Sequence, residues 1–215
     1  KLDELVSLSD VVVEAASQKA VPAIAKAALV AGKKLMIMSV GALANSELFA
    51  EIKALAKEHG ARVYLPSGAI SGLDGLKSAS IGTIRSVTLT TTKNPAGLRG
   101  APYIRENNID LDALVGPTQI FEGSALAAVK AFPANVNVAA TLFLAAGESE
   151  VQVRIVADPN IHVNRHEILV EGSFGRITTL VENVPSPRNP KTSYLAALSA
   201  IATLRSIVEP VKIGT

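Results

Sequence analysis

The sequence contains 215 residues, 48% hydrophobic and 19% charged, which allows one domain or two small ones with a buried core and excludes disordered and collagen-like proteins. Its net charge of +2, the absence of Trp and an aromatic content of 4% argue against a nucleic-acid partner. The absence of cysteine excludes disulfides and a thiolate nucleophile, and no apolar stretch reaches the roughly 20 residues of a membrane span, so we expect a cytoplasmic protein without a membrane partner.

The first third of the chain alternates short apolar runs with helical patterns. Strands are predicted at 11–13, 35–38 and 62–65, and the two segments between them have helical spacing, the first with Ser17 as a possible cap and Pro22 in its first turn. Continuous apolar strands joined by helices are typical of parallel sheets that are covered on both faces. The sequence therefore predicts part of a Rossmann domain, which is a doubly wound parallel sheet.

The pattern changes after Pro66. Alternation with period two predicts strands with one packed and one wet face, and it occurs at 85–92, 151–156, 166–171 and 176–183. Helices are predicted at 124–131 and 138–146, and residues 94–117 are predicted to be irregular. We therefore expect an α/β protein with a partial Rossmann domain (1–66, with a returning C-terminal helix in 191–215) and a mixed, open-faced catalytic and dimerisation domain (67–190).

Three segments in the first third and at the domain junction carry groups that could bind a ligand. Glu14 ends the first strand, the small residues 39–42 follow the second, and 66–74 form a glycine-rich turn. Ligands of open α/β sheets bind at the carboxyl ends of the strands, and exposed N–H groups of a glycine-rich turn can hold a polar ligand. A helix cap, an ordinary turn and a domain hinge are the simpler explanations of the same residues.

Three further segments lie in the second domain. Asn135 and Asn137 precede a helix, and capping accounts for only one of them. His162 and His166 are candidates for general acid or base, because the histidine pKa lies nearest neutrality. Their spacing of four suits a helix, whereas this segment is predicted as loop and strand, so we expect no metal site. Residues 189–193 carry a cap signal and a cation before the last helix.

Taken in order, these segments resemble the L-aspartate dehydrogenase family. The motifs that carry the resemblance are VEAAS (13–17), SVGALA (39–44), SGAISGLD (67–74), FEG (121–123), FPANVNVAAT (132–141), VADP (156–159), N-x-HEI (164–168) and NPKTSYLAALS (189–199). The resemblance implies a homodimer that oxidises L-aspartate with NAD or NADP to iminoaspartate, which hydrolyses to oxaloacetate and ammonia. Iminoaspartate can also supply NAD biosynthesis.

The resemblance also implies roles for individual residues. The catalytic histidine of the family falls on His166, and its cofactor-binding alanine and asparagine fall on Ala69 and Asn137. Glu14 and Ser39 are expected to line the cofactor crevice. The candidates for binding the two substrate carboxylates are Lys93, Asn189, Lys191 and Thr192.

The sequence departs from the family pattern in two places. Arg165 stands where the family has a small aliphatic residue, and a cation beside the base is expected to lower its pKa. The chain begins with Lys1 and has its first glycine at Gly32, so it is expected to start partway through the Rossmann domain, after the G-x-G-x-x-G turn.

Two alternative functions stay open at this point. One is a related Rossmann oxidoreductase of the homoserine dehydrogenase or dihydrodipicolinate reductase type. The other is a non-catalytic dinucleotide-binding dimer.

Overall fold

The chain forms two compact units, Lys1–Pro66 and Ser67–Thr215. The computed structural model describes residues 1–133, 137–147, 149–187 and 189–214, with only the backbone for 189–191. The boundary coincides with the predicted change of pattern after Pro66. The contacts group the last helix with the second unit, and its return to the first domain stays a prediction.

The first unit is built on a parallel sheet of three strands in sequential order, as predicted for part of a Rossmann domain. Its core residues include Leu29, Leu35 and Ile37, all fully buried. A 3-10 helix, Val40–Ala44, follows the second strand. The other elements are α1 (Leu2–Ser7), β1 (Val11–Glu14), α2 (Val21–Val30), β2 (Lys34–Ile37), α3 (Ser46–Glu58) and β3 (Val63–Tyr64).

Local signals explain the helix ends of this unit, with one correction. The Asn45 side chain accepts a hydrogen bond from the backbone N–H of Leu48 and caps α3. Pro22 lies in the first turn of α2, as predicted. The prediction that Ser17 caps α2 is wrong, because the helix starts at Val21 and its N-cap is Ala20.

The second unit is built on a mixed five-stranded sheet in the order β5-β6-β4-β7-β8. In this sheet β4 runs parallel to β6 and antiparallel to β7. The strands are β4 (Ile84–Lys93), β5 (Thr118–Ser124), β6 (Val151–Ala157), β7 (Asn164–Gly172) and β8 (Gly175–Asn183), with a separate pair β9 (Pro185–Ser186) and β10 (Asn189–Ser193). The helices are α4 (Leu73–Ala79), α5 (Pro102–Glu106), α6 (Ala125–Ala131), α7 (Asn137–Ala145) and α8 (Tyr194–Val208).

The two faces of the large sheet differ, as the alternation predicts. One face is buried by helices, and its core includes Leu89, Val153 and Ile168. The opposite face carries the ion pairs Arg154–Glu122, Arg165–Glu182 and Arg176–Glu171, with N···O distances of 2.9, 2.6 and 2.6 Å. The prediction of an open-faced mixed sheet is therefore confirmed.

Two elements of this unit differ from the sequence prediction. Residues 94–117, which are predicted to be irregular, contain the short helix α5, and this helix begins at Pro102. Residues 189–193 form the strand β10 and not simply a cap before α8. Within the described ranges, no helix is both long enough and apolar enough to cross a membrane.

Candidate active site

Polar side chains lie buried where β4 ends and β7 begins. Thr91, Lys93 and His166 are 6%, 8% and 3% exposed. Thr91 and His166 are directly opposite in the β4–β7 register, so they share a face, and Lys93 shares it because it lies two residues beyond Thr91. This face also carries the apolar core, which places a cation and an imidazole at the edge of a hydrophobic region.

The His166 ring is fixed by a hydrogen bond. Its Nδ1 lies 3.0 Å from the Thr91 hydroxyl oxygen, and this contact is buried. Burial, with a smaller contribution from the charge of Lys93, lowers the pKa of His166 from 6.5 to about 3. The ring is therefore neutral near pH 7, and because Thr91 engages Nδ1, proton exchange with a substrate falls to Nε2.

The expected effect of Arg165 on this pKa is wrong. Successive residues of a strand point to opposite faces, so Arg165 lies on the open face of the sheet, where its guanidinium pairs with Glu182 at 2.6 Å. The cation that lowers the pKa of His166 is Lys93.

Lys93 ends β4 and is held there by its backbone and its neighbours. Its carbonyl accepts a hydrogen bond from the N–H of Asp158 at 2.9 Å. The next residue, Asn94, donates to the carbonyls of Pro159 and Ile161 at 3.2 and 3.3 Å. Burial lowers the pKa of Lys93 from 10.5 to about 8, so the ammonium is mostly charged at neutral pH and loses its proton just above it.

The turn that contains Ala69 is held from two distant elements. The N–H of Gly68 donates to the Ser199 hydroxyl of α8 at 3.0 Å, and the Ala69 carbonyl accepts from the Asn183 side chain at 2.9 Å. Gly68 has a φ of +66°, a left-handed conformation that favours glycine, and a Cβ at this position would meet nothing within 4 Å. The turn thus presents backbone beside open space, into which a flat ring could approach.

The remaining candidates of the second unit lie on β10 and α7. Asn137 is the first residue of α7, where its carbonyl accepts from the Thr141 hydroxyl at 2.7 Å. Thr192 is an exposed residue of β10. Asn189 and Lys191 lie on the same strand, but their side chains are outside the described part of the chain, as is Asn135.

Glu14 and Ser39 of the first unit form a separate arrangement. Glu14 is 1% exposed at the end of β1, and its Oε1 accepts from the N–H groups of Ala16 and Ser17 at 2.8 and 3.0 Å. Ser39 donates its N–H to Oε2 and its hydroxyl to Oε1, both at 3.0 Å. The carboxylate therefore links the ends of two neighbouring strands, and its role towards a cofactor stays a prediction.

Metal ligands do not assemble in the described residues. His162 is exposed, whereas His166 is buried within the sheet. No group of three or more His, Cys, Asp or Glu side chains suited to a metal ion occurs in the part of the chain that the structure describes.

Sequence reasoning missed two contributors to this site. Thr91 belongs to a run of three threonines, and only the register with β7 identifies which of them meets His166. Asn183 ends β8 in a stretch that reads as an ordinary strand end, and its contact with Ala69 spans 114 positions.

Family models divide the chain at almost the same boundary as the fold. Residues 1–66 match the family described as homoserine dehydrogenase, NAD binding domain, and residues 74–207 match the family described as aspartate dehydrogenase, C-terminal. The second match covers most of the second unit, including β4, β7 and the strand that carries Asn183.

Curated relatives and solved structures agree with these matches. The chain is 60% identical to the L-aspartate dehydrogenase of Methanocella arvoryzae and 57% identical to that of Methanosarcina acetivorans, in both cases over 100% of this chain and 80% of the relative. The crystal structure of aspartate dehydrogenase from Thermotoga maritima superposes with a TM-score of 0.78 at 33% identity, over 95% of this chain and 78% of that one.

A hyperthermophilic archaeal homoserine dehydrogenase in complex with NADPH shares the fold at a TM-score of 0.54 and 14% identity, over 95% of this chain and 75% of that one. At this level of identity the likeness shows the fold alone. The chain belongs to the L-aspartate dehydrogenase family.

Proposed function

We propose that this protein is an NAD(P)-dependent L-aspartate dehydrogenase, which oxidises L-aspartate to iminoaspartate that hydrolyses to oxaloacetate and ammonia. The observation that carries the proposal is His166, a buried neutral imidazole held by Thr91 beside a buried lysine, in a chain of this family. The reaction requires a base, a cation for the acidic substrate and a dinucleotide. His166 and Lys93 are the proposed base and cation, and residues 1–66 match an NAD-binding family.

The residues present fit a dinucleotide. The Ala69 turn offers backbone groups next to open space at Gly68, and such a surface admits the flat nicotinamide ring. The dinucleotide supplies the acceptor for the hydride that leaves the substrate α-carbon. The proposed ligands on this chain are the backbone at Ala69 and the side chain of Asn137, with Glu14 and Ser39 as the proposed contribution of the first unit.

His166 is the proposed base. The substrate ammonium must lose a proton before the α-carbon can give up a hydride, and the attack of water on the resulting imine releases another proton. In the tautomer in which Nδ1 carries the ring proton and donates it to Thr91, the unprotonated Nε2 can accept either proton. The overall reaction converts L-aspartate, water and NAD(P)+ into oxaloacetate, ammonium and NAD(P)H, with one proton released to solvent.

Lys93 is the proposed partner of a substrate carboxylate, together with Asn189, Lys191 and Thr192. Its position on the same sheet face as His166 connects substrate binding to the base. A bound dicarboxylate offsets the positive field of Lys93, and a nearby anion stabilises the imidazolium form. Substrate binding is therefore expected to raise the pKa of His166 from about 3 towards the working pH.

The direct test is a substrate screen with the full-length protein. Purified protein is incubated with NAD or NADP and with L-aspartate or L-homoserine, and formation of reduced nicotinamide is followed by absorbance. With a dihydrodipicolinate, NADH or NADPH is supplied instead and its consumption is followed. Turnover with L-aspartate is the expected result. Turnover with homoserine or dihydrodipicolinate alone would identify a related reductase, and dinucleotide binding without any turnover would identify a non-catalytic protein.

We also propose a cytoplasmic homodimer, as the family resemblance implies. Light scattering coupled to gel filtration should give twice the mass of the chain.

Iminoaspartate released by such an enzyme is the proposed link to pyridine-nucleotide synthesis, and trapping of the imine before hydrolysis would test it.

A further inference from the structure

The Asn183 side chain, at the end of β8, is only 3% exposed and contacts two other segments. Its Nδ2 donates to the carbonyl of Ala69 at 2.9 Å and more weakly to that of Asn164 at 3.5 Å. Both acceptors are carbonyl oxygens, which fixes the orientation of the amide, since its own oxygen could not face them. Within the described ranges, the buried Oδ1 has no hydrogen-bond partner.

A buried amide with an unpartnered oxygen contributes little to stability, because the oxygen loses its hydrogen bonds to water on burial and gains none in the folded protein. What the amide does provide is direction: it holds the Ala69 carbonyl in one orientation. At the other end of the turn, Ser199 accepts from the Gly68 N–H at 3.0 Å and itself donates to the Ala196 carbonyl at 2.8 Å. The peptide groups around Gly68 are thus anchored on both sides.

Asn183 also reaches the strand that carries the proposed base. Asn164 is directly opposite Asn183 in the β7–β8 register, and His166 lies two residues further along the same face. The Asn164 side chain in turn donates to the Ser193 hydroxyl at 3.4 Å. A single amide therefore joins the Ala69 turn to the beginning of β7.

We propose that Asn183 is a positioning residue, which fixes the backbone of the Ala69 turn relative to His166 so that the nicotinamide end of the dinucleotide lies in register with the base. This inference rests on the proposed function. Asn183 acts through the Ala69 carbonyl and through β7, and it need not touch the substrate.

The first variant is Asn183→Leu in the full-length protein. Leucine has similar volume and removes the unpartnered acceptor, while it leaves the Ala69 carbonyl without its donor, so these two effects on stability oppose each other. We expect little change in Tm, but about a tenfold rise in the Kd for NADH or NADPH, measured by fluorescence titration without substrate, and a lower kcat. A wild-type Kd together with a wild-type kcat would overturn the proposal.

The second variant, Asn183→Asp, gives a pH signature that a merely structural role would not produce. An ionised carboxylate cannot donate to the Ala69 carbonyl, but a protonated one can, and burial raises the pKa of such a carboxyl. The Kd of Asn183→Asp should approach the wild-type value as the pH is lowered, whereas the ratio of Asn183→Leu to wild type should stay constant. Identical behaviour of the two variants at every pH would contradict positioning through this hydrogen bond.

Asn107→Asp is the matched control. Asn107 also donates to a backbone carbonyl, that of Tyr103 at 2.9 Å, but it is exposed after α5. It should keep the wild-type Kd at every pH. A rise in its Kd equal to that of Asn183→Asp would also overturn the proposal, because the effect would then not be specific to the turn.

If both Asn183 variants fail to fold, Ser199→Ala tests the other anchor of the turn and should raise the dinucleotide Kd several-fold. A wild-type Kd for this variant would overturn the proposal. Wild-type protein is assayed first: absence of turnover with L-aspartate removes the proposed function itself, whereas active wild type with unaffected variants removes only the role of Asn183.

Discussion

Each of the two units buries ionisable side chains near the end of a strand, but the surroundings of these side chains differ between the units. Glu14 of β1 receives hydrogen bonds from three backbone N–H groups and one hydroxyl, so the fold itself satisfies the carboxylate. Lys93 and His166 lie at the edge of an apolar core, where desolvation lowers both pKa values and so favours the neutral form of each side chain. Burial alone therefore does not indicate chemistry. A buried group whose pKa is shifted by its surroundings is the better candidate for catalysis.

The largest expected effect comes from removing the base. His166→Ala should lower kcat about 10²- to 10⁴-fold and leave the dinucleotide Kd nearly unchanged, because the ring exchanges protons and does not hold the cofactor. The measurement is steady-state turnover with L-aspartate together with a binding titration. His162→Ala, an exposed histidine of the same segment, should keep wild-type turnover. Full activity of His166→Ala would exclude this residue as the base.

The opposite outcome is expected for the carboxylate of the first unit. Glu14→Ala leaves four donors without their acceptor and should lower the free energy of unfolding by about 3 kcal/mol, measured by urea denaturation. Glu47→Ala, in the exposed first turn of α3, should cost far less. Full stability of Glu14→Ala would contradict this structural role, and weaker dinucleotide binding by the variant would support the proposed contribution of Glu14 to the cofactor site.

Lys93 should show its effect in the affinity for substrate. Lys93→Met should raise the KM for L-aspartate about 10- to 100-fold, because a carboxylate loses its cation. In the wild type, the same KM should rise as the pH passes about 8, where Lys93 loses its proton. Lys93→Arg keeps the charge and should remove this alkaline rise. A pH-independent KM in the wild type would place the carboxylate elsewhere.

The smallest effect is on stability against pH. Between pH 6.5 and 3 the histidine binds a proton in the unfolded chain but not in the folded one, so the free energy of unfolding falls as the pH is lowered through this range. A loss of roughly 1–2 kcal/mol between pH 6.5 and 5 is expected from this group. His166→Phe should flatten the slope of the free energy of unfolding against pH. An unchanged slope would mean that the imidazole of His166 is accessible to water in the wild type.

The sequence predicted the elements better than their connections. Alternation with period two located β4, β6, β7 and β8, because one wet and one packed face leave a local pattern in the chain. It did not reveal β10, since Asn189 to Ser193 has neither alternation nor β-branched residues apart from Thr192. The prediction that residues 94–117 are irregular missed α5, because proline also begins helices, as Pro102 does in α5.

The candidate site was predictable only where it is local in sequence. His166 and Ala69 each belong to a motif whose own residues lie within a few positions of one another in the chain. The Thr91–His166 contact, the anchoring of the Ala69 turn and the field of Lys93 depend on strand register, which one sequence does not specify. The same limit explains the error at Arg165, where proximity along the chain was taken for proximity in space.

The site is assembled by contacts between distant parts of the chain, and this has a consequence for folding. Thr91 and His166 are 75 positions apart, Ala69 and Asn183 are 114 apart, and Gly68 and Ser199 are 131 apart. Pairings of such separation form late, because the loops they close cost entropy before any contact repays it. On refolding from denaturant, helical signal should therefore return before activity, and turnover should recover only with the slowest phase of sheet formation.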